Sequence, residues 1–453
     1  MSTIAQRIGG EAADAADAPE VADDAEASYE RSPFVEPSRP HLWSTLGPGL
    51  ITGASDDDPS GIATYMQTGA AFGYAASWTL LFSYPLMVAI QIVSARIGRT
   101  TGRGIAGNLR KFCPAWLLYA SIFLLLVANV INIGADIGAM AESVQILAGG
   151  PPLLYVLAVG IICACAQILL AYKRYVAVLK WLSFALFAYV ATLFFVKIDW
   201  AELARGLLLP HVSMNAESLT SIVAILGTTI SPYLFFWQSS QEVEDTKAFP
   251  RRAPLKEAPE QAPAANARIA SDTLIGMGFS NFIALAIMVT AAATLHQSGH
   301  KDVQSAAEAA KALRPLAGPL AEAIFALGIL ATGLLAVPVL AGSAAYGVGE
   351  AFRWPTGLDR APREAKAFYG VIAIATAAGV LLNLSPINPI QALFWSAVVN
   401  GVVAVPIMII MMMMAASAAV MGEQTIGLGL KAVGWLSTFA MILAAVAMVA
   451  LNL

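Results

Sequence analysis

Apolar runs of roughly twenty residues recur along most of the chain, divided by short polar stretches. Eleven of them are predicted to be membrane-crossing helices: 46–71, 75–98, 116–147, 153–172, 176–196, 219–239, 271–295, 320–348, 368–384, 390–416 and 433–451. At about 1.5 Å per residue each covers a hydrocarbon core of about 30 Å. The third and eighth are longer than one bilayer needs and are predicted to tilt or to project beyond it. Two runs are interrupted. Span one carries Asp58-Pro59-Ser60-Gly61, and span six carries Pro232 shortly after Gly227, Thr228, Thr229 and Ser231. Proline removes an N–H and clashes with the carbonyl four residues earlier, so both helices should unwind there. They are the first spans of two five-span blocks, 46–196 and 219–416, followed by an extra helix at 433–451. An odd number of spans inverts one block against the other. Interrupted helices at corresponding positions of two such halves are the best sequence pointer to a transport site. Their unwound carbonyls should face a shared cavity rather than lipid.

Composition agrees. Of 453 residues, 58% are hydrophobic and 12% charged, whereas soluble domains carry about 25% charged residues. Residues 1–40 differ from the rest, with nine acidic residues against three arginines. This stretch cannot bury a core and is predicted to be a disordered acidic tail ahead of a transmembrane domain at 41–453. It has no basic region followed by an apolar run and is not read as a signal peptide. The cations set the orientation. With the N-terminus in the cytoplasm, inner segments hold twenty Lys and Arg and outer loops five. The C-terminus is then outside. Residues 241–268, including the Pro- and Ala-rich "RRAPLKEAPEQAPAANAR", read as a flexible cytoplasmic linker.

Asp56, Asp57 and Asp58 stand together inside span one. One aspartate at mid-membrane costs about 2.5–3.5 kcal/mol, so three facing lipid would cost roughly 8–10. A solvated cavity that accepts a cation offsets this. Successive helical residues point about 100° apart, so the three cannot all line one site. Asp58, beside the proline, is the expected ligand. Asp57 is expected behind it or at the entry, and Asp56 on exposed backbone. In the alternative, all three only satisfy unwound backbone. Asp136 shares a helical face with Asn129 and Asn132, which is either a polar water path or a set of interhelical hydrogen bonds. Glu142 points elsewhere.

Other features carry less. Cys113, Cys163 and Cys165 read as small buried apolar residues. Met411–Met414 cover every side of a helix and read as packing. His296 and His300 read as a solvated loop, the alternative being a metal-capturing mouth. Gln241, Glu242, Glu244 and Asp245 are either an exit vestibule for cations or interfacial charge. No nucleotide-binding loop or catalytic triad appears, which argues against an ATP-driven pump or a hydrolase. No enzyme activity, cofactor or nucleic-acid partner is expected, and a monomer is.

The stretch "LGPGLITGASDDDPSG" resembles the opening of the Nramp family of divalent-metal transporters, with its Gly-Pro-Gly start and Asp-Pro-Gly-Asn break. "AILGTTISPYLFFWQ", "GFSNFIALAIMVTAAATL" and "IQALFWSAVVNGVVAVPIMII" resemble its helices six, seven and ten, and the likeness spans about 43–420. The resemblance implies an all-α polytopic protein with the LeuT-type 5+5 inverted repeat. It places the metal-binding aspartate at Asp58, a metal-site glutamine at Gln391 and an asparagine at Asn281. Several positions depart from the family. Its asparagine partner falls on Gly61, its methionine on Ser231, and its histidines on Tyr233 and Gln238. Its helix-three aspartate is kept as Asp136, but the acid three residues on is Ala139. The arginines expected in helix nine are absent.

A thioether favours thiophilic metals, whereas hydroxyls, carbonyls and carboxylates favour Mg²⁺ and Mn²⁺. Mg²⁺ keeps its waters and takes few protein ligands. Nramp-related Mg²⁺ transporters also lack the methionine. The expectation is therefore a secondary transporter or facilitator of divalent cations in a bacterial inner membrane. Asp58, Gly61, Thr228, Ser231, Tyr233, Gln391 and Asn281 are expected at the site, with Asp57, Asp136, Gln238 and Asn132 on a proton path or behind the ligands. The alternatives are a small organic solute or another ion on the same fold, and a membrane sensor without transport.

Overall fold

The computed structural model describes residues 52–53, 55–169, 187–249, 251–303, 305–314, 318–385 and 387–452. The acidic tail and most of the fifth predicted span lie outside them. Everything regular among the described residues is helical. α1 is Pro59–Phe72, α2 Trp78–Thr101, α3 Ile105–Phe112, α4 Ala115–Ala148, α5 Pro152–Leu169, α6 Phe187–Thr192 and α7 Trp200–Leu208. The second half holds α8 Ala216–Thr229, α9 Pro232–Lys247, α10 Ala262–Ala291, α11 Ala321–Phe352, α12 Lys366–Leu382, α13 Pro389–Ala416 and α14 Leu428–Asn452. Eight stretches among the described residues are long and apolar enough to cross a membrane, with α8 and α9 together forming one of them. The two longest single helices, α4 with 34 residues and α11 with 32, are the third and eighth predicted spans.

The halves interlock through their first two helices. α1 packs on α10, the second long helix of the other half, and α9 packs on α2. Both seams depend on missing side chains. A Cβ on Gly53, just before the first break, would sit 2.3 Å from Gly276 O, and one on Gly98 would sit 2.1 Å from Ser239 O. One turn from Gly98, Ser94 Oγ donates to Phe235 O at 2.5 Å. Backbone thus lies against backbone, the arrangement small residues permit where lipid supplies no hydrophobic drive. α4 and α11 form the other long pair, joined by Asn129 Nδ2, which donates to Leu340 O and Ser343 Oγ at 2.8 Å each.

The stretch read as a flexible linker is built differently. Residues 241–247 extend α9 and 262–268 begin α10. The loop between them packs on the end of α2, where Leu255 N and Lys256 N donate to Arg99 O and Thr100 O at 3.2 and 3.1 Å. These bonds satisfy carbonyls a helix end leaves orphaned. Arg99 fastens the loop from the side, donating to Ala253 O at 2.6 Å and Gln261 Oε1 at 2.8 Å. Leu255 is buried. The loop's Pro and Ala content reflects a tight, apolar-anchored turn.

Three side readings are also resolved. Cys163 is buried, but Cys165 is exposed on the outer surface of α5. Of the four methionines, Met413 is exposed and the other three are buried, as packing on all sides of a helix requires. His296 Nδ1 lies 2.8 Å from Ala70 O, so this ring packs on the end of α1.

Candidate functional site

Both interrupted helices restart in the same way. Asp58 is the N-cap of α1 with Pro59 at its first position, and Ser231 is the N-cap of α9 with Pro232 at its first position. Proline fits there because its missing N–H is one no helix would use. The caps do different work. Asp58 Oδ1 accepts from Gly61 N and from Ser60 Oγ, each at 2.7 Å. Asp58 Oδ2 accepts from Asn132 Nδ2 on α4 at 2.8 Å. One carboxylate thus closes the start of α1 and ties it to the neighbouring long helix. Ser231 Oγ instead turns back, sharing its one hydrogen between Gly227 O at 2.6 Å and Thr228 O at 2.9 Å. Its own lone pairs are left to accept or to coordinate.

The breaks take backbone oxygens out of the helix ladder, and at Thr228 O the Ser231 hydroxyl stands in for the missing amide. Pro232 has no N–H for Thr228 O, and Leu234 N bonds Ser231 O in place of Ile230 O. Tyr233 joins the two breaks directly, its hydroxyl donating to Ser55 O at 3.0 Å. At Gly61 space is tight, since a Cβ would sit 3.0 Å from Thr228 Oγ1 and 3.3 Å from Asp56 O. The site therefore brings together Asp58, Gly61, Thr228, Ser231 and Tyr233. Its donors are oxygen throughout.

The remaining expected residues divide. Asn132 binds Asp58 directly. Asp136, one turn along α4, is fully buried with neither carboxylate oxygen hydrogen-bonded. Asn129 is spent on α11, so the polar face of α4 is part interhelical bonding and part free carboxylate. Gln238 donates to Thr273 Oγ1 on α10 at 3.2 Å. Asn281 makes no hydrogen bond to any of the three aspartates among the described residues. Ser280, one position earlier, bonds Asp56 Oδ2 at 2.7 Å and Asp57 Oδ1 at 3.1 Å. Asp56 is therefore held by a side chain, where exposed backbone was expected. Gln391 stands apart in the first turn of α13, exposed, with its N–H capped by Asn388 Oδ1 at 3.3 Å. Sequence reasoning chose Asn281 over Ser280 and passed over Tyr65, whose ring edge lies 3.4 Å from a Cβ at Gly61. Hydroxyl residues facing three carboxylates were the available signal.

Cavities flank the site from both ends. One, about 360 Å³, is lined by Ala63, Gln67, Glu217, Asp302, Gln391 and Trp395 among others. The other, about 690 Å³, lies at the linker end and is lined by Tyr346, Glu244, Glu350, Lys247 and Arg353 among others. Neither is lined by Asp58 or Ser231, so protein separates the site from both. At the linker end Tyr346 OH donates to Glu244, which also accepts from Leu358 N at 3.1 Å. Trp237 stacks edge-on against Tyr346, with centroids 6.1 Å apart. Glu242 and Asp245, read as vestibule candidates, are instead paired with Arg268 and Arg252.

The sequence model for natural resistance-associated macrophage protein-like chains matches residues 49–451. The chain belongs to the Nramp family. A divalent metal cation transporter, MntH of Yersinia enterocolitica, is 30% identical over 307 residues, 66% of this chain and 70% of that protein. The MntH of Yersinia pestis is 29% identical over 308 residues, with the same two shares. Among solved structures, the Eremococcus coleocola manganese transporter superposes with TM-score 0.70 at 18% identity, covering 91% of this chain and 88% of that one. Mhp1, a nucleobase-cation-symport-1 family transporter, gives 0.58 at 14% identity over 90% and 92%. MhsT with L-phenylalanine gives 0.57 at 13% over 89% and 97%. This Nramp chain therefore has the LeuT-type inverted-repeat fold.

Proposed function

We propose that the chain carries divalent cations of the Mg²⁺ or Mn²⁺ kind across a bacterial inner membrane, by alternating access around the two breaks. The observation that carries this reading is Asp58, a buried carboxylate that caps one broken helix through Gly61 N and bonds α4 through Asn132. The curated relatives named above are divalent metal cation transporters. Hydroxyl, carbonyl and carboxylate oxygens favour hard ions, and Ser231 supplies a hydroxyl where the family carries a thioether. A partly hydrated ion suits a site with few side-chain ligands. Separation from both cavities is the occluded stage of such a cycle, and the bias of cations toward one side puts the linker end in the cytoplasm and the C-terminus outside. Asp136 is the group left for any proton traffic along α4, with Asp57 and Gln238 off that line.

Uptake into liposomes holding the purified full chain tests this. Mg²⁺ and Mn²⁺ enter, and Asp58→Ala slows entry roughly tenfold or more, since a charge-assisted contact is worth about 1.5–3 kcal/mol. Ser231→Met shifts competition toward Cd²⁺. If none of the three ions enters or competes, and Asp58→Ala changes nothing in the uptake of a small organic solute, the metal reading fails.

A further inference from the structure

The three adjacent aspartates serve two different neighbours. Asp58 turns to α4, whereas Asp56 and Asp57 turn to α10 and converge on the one hydroxyl of Ser280. A hydroxyl has one hydrogen and can donate to only one of them. Both carboxylates are fully buried, and Asp56 Oδ1 and Asp57 Oδ2 have no hydrogen-bond partner. The charged groups that face them are each other and Asp58, with no cationic side chain among the described residues. An independent group points the same way. The Tyr65 hydroxyl is fully buried among Asp56, Asp57, Asp58 and Thr228, and no group there makes a well-formed hydrogen bond to it.

We propose that Asp56 and Asp57 together hold a second, resident divalent cation on the α10 side of the first break, with Ser280 and Tyr65 completing the oxygen set. Two carboxylates balance a double positive charge, and a site made of oxygen alone selects a hard ion. Without a cation the pair must take up protons or destabilise the fold. The ion is taken as resident because the chain around the first break is close-packed on α10. α10 is packed backbone to backbone on both sides of the break: a Cβ on Gly53, ahead of it, would meet Gly276 O, and one on Gly69, within α1, would meet Met288 O, each at 2.3 Å. The Asp58–Asn132 contact, by comparison, spans two helices that are not locked in this way. The proposal rests on reading Asp58 as the cargo site.

The test is Mn²⁺ stoichiometry on the full chain in nanodiscs, by equilibrium dialysis. Two ions per chain are expected. Asp58→Asn leaves one, and Asp56→Asn combined with Asp57→Asn also leaves one. Where that pair fails to fold, Ser280→Ala and Tyr65→Phe decide, each weakening one of the two binding steps by about fivefold. A single ion that disappears with Asp58→Asn and ignores the other changes overturns the second site while leaving the transport reading intact. No Mn²⁺ bound at all overturns both.

Discussion

At the scale of single residues, the unusual feature is what replaces the missing side chain at Gly61. The family resemblance placed an asparagine there, and in this structure a side chain at that position would crowd its neighbours. The Thr228 hydroxyl stands beside that place, 3.0 Å from where a Cβ would stand. The two positions are thus one decision, an amide on α1 or a hydroxyl on α8. Gly61→Asn alone should overpack the break, costing about 1–3 kcal/mol and slowing uptake. Adding Thr228→Ala should recover a substantial part of both. Thermal melts and Mn²⁺ uptake of the two singles and the double close the cycle. Purely additive effects would show that the residues do not share the space. Most of this pairing was hidden in the sequence, because Gly61 and Thr228 are far apart in the chain and neither is charged. Asp58 and the two prolines were visible because a carboxylate and a helix breaker are costly in lipid wherever they occur.

At the scale of elements, the breaks were readable and the seams between helices were not. Apolar length and proline position give spans and interruptions directly. Whether a helix touches its neighbour through backbone or side chains depends on which glycine faces it, and many glycines here face nothing. Gly98 illustrates the difference. It lies in a run of ordinary residues, yet Ser239 O sits 2.1 Å from its absent Cβ. Gly98→Val should push α2 from α9, break the neighbouring Ser94–Phe235 bond and lower stability by about 1–3 kcal/mol. Gly328 has nothing within 4 Å of its Cβ position, so Gly328→Ala serves as the control with little change. Denaturation in detergent measures both, and equal losses would sink the seam. The linker shows the opposite lesson. Its composition suggested flexibility, but Leu255 and Arg99 anchor it, and composition carries no record of a tertiary partner.

At the scale of the whole molecule, the proposed cycle needs something to hold the linker end shut. The candidate is a small polar knot laid over aromatics. Glu244 on α9 accepts from Tyr346 on α11 and from Leu358 N in the following loop. Gln241 Nε2 adds a contact to Tyr346 OH at 3.4 Å. Below it, Trp237, Tyr346 and Phe368 stack edge to face, with centroids 6.1 and 5.0 Å apart. Glu244 is the hub, so Glu244→Ala removes the acceptor shared by a side chain and a backbone amide. Local opening should become easier by roughly 1.4 kcal/mol, a factor of about ten. Hydrogen exchange in a peptide covering 354–362 reads this, and should quicken while α4 and α11 keep their protection. Binding from the opposite end then weakens, because a smaller fraction of molecules is closed at the linker end when the ion arrives. Apparent Mn²⁺ affinity in uptake should fall only as far as the closed fraction falls, by less than exchange rises. Faster exchange with unchanged affinity would mean that the knot orders a loop without governing access. Unchanged exchange would mean that the aromatic stack alone carries the closure.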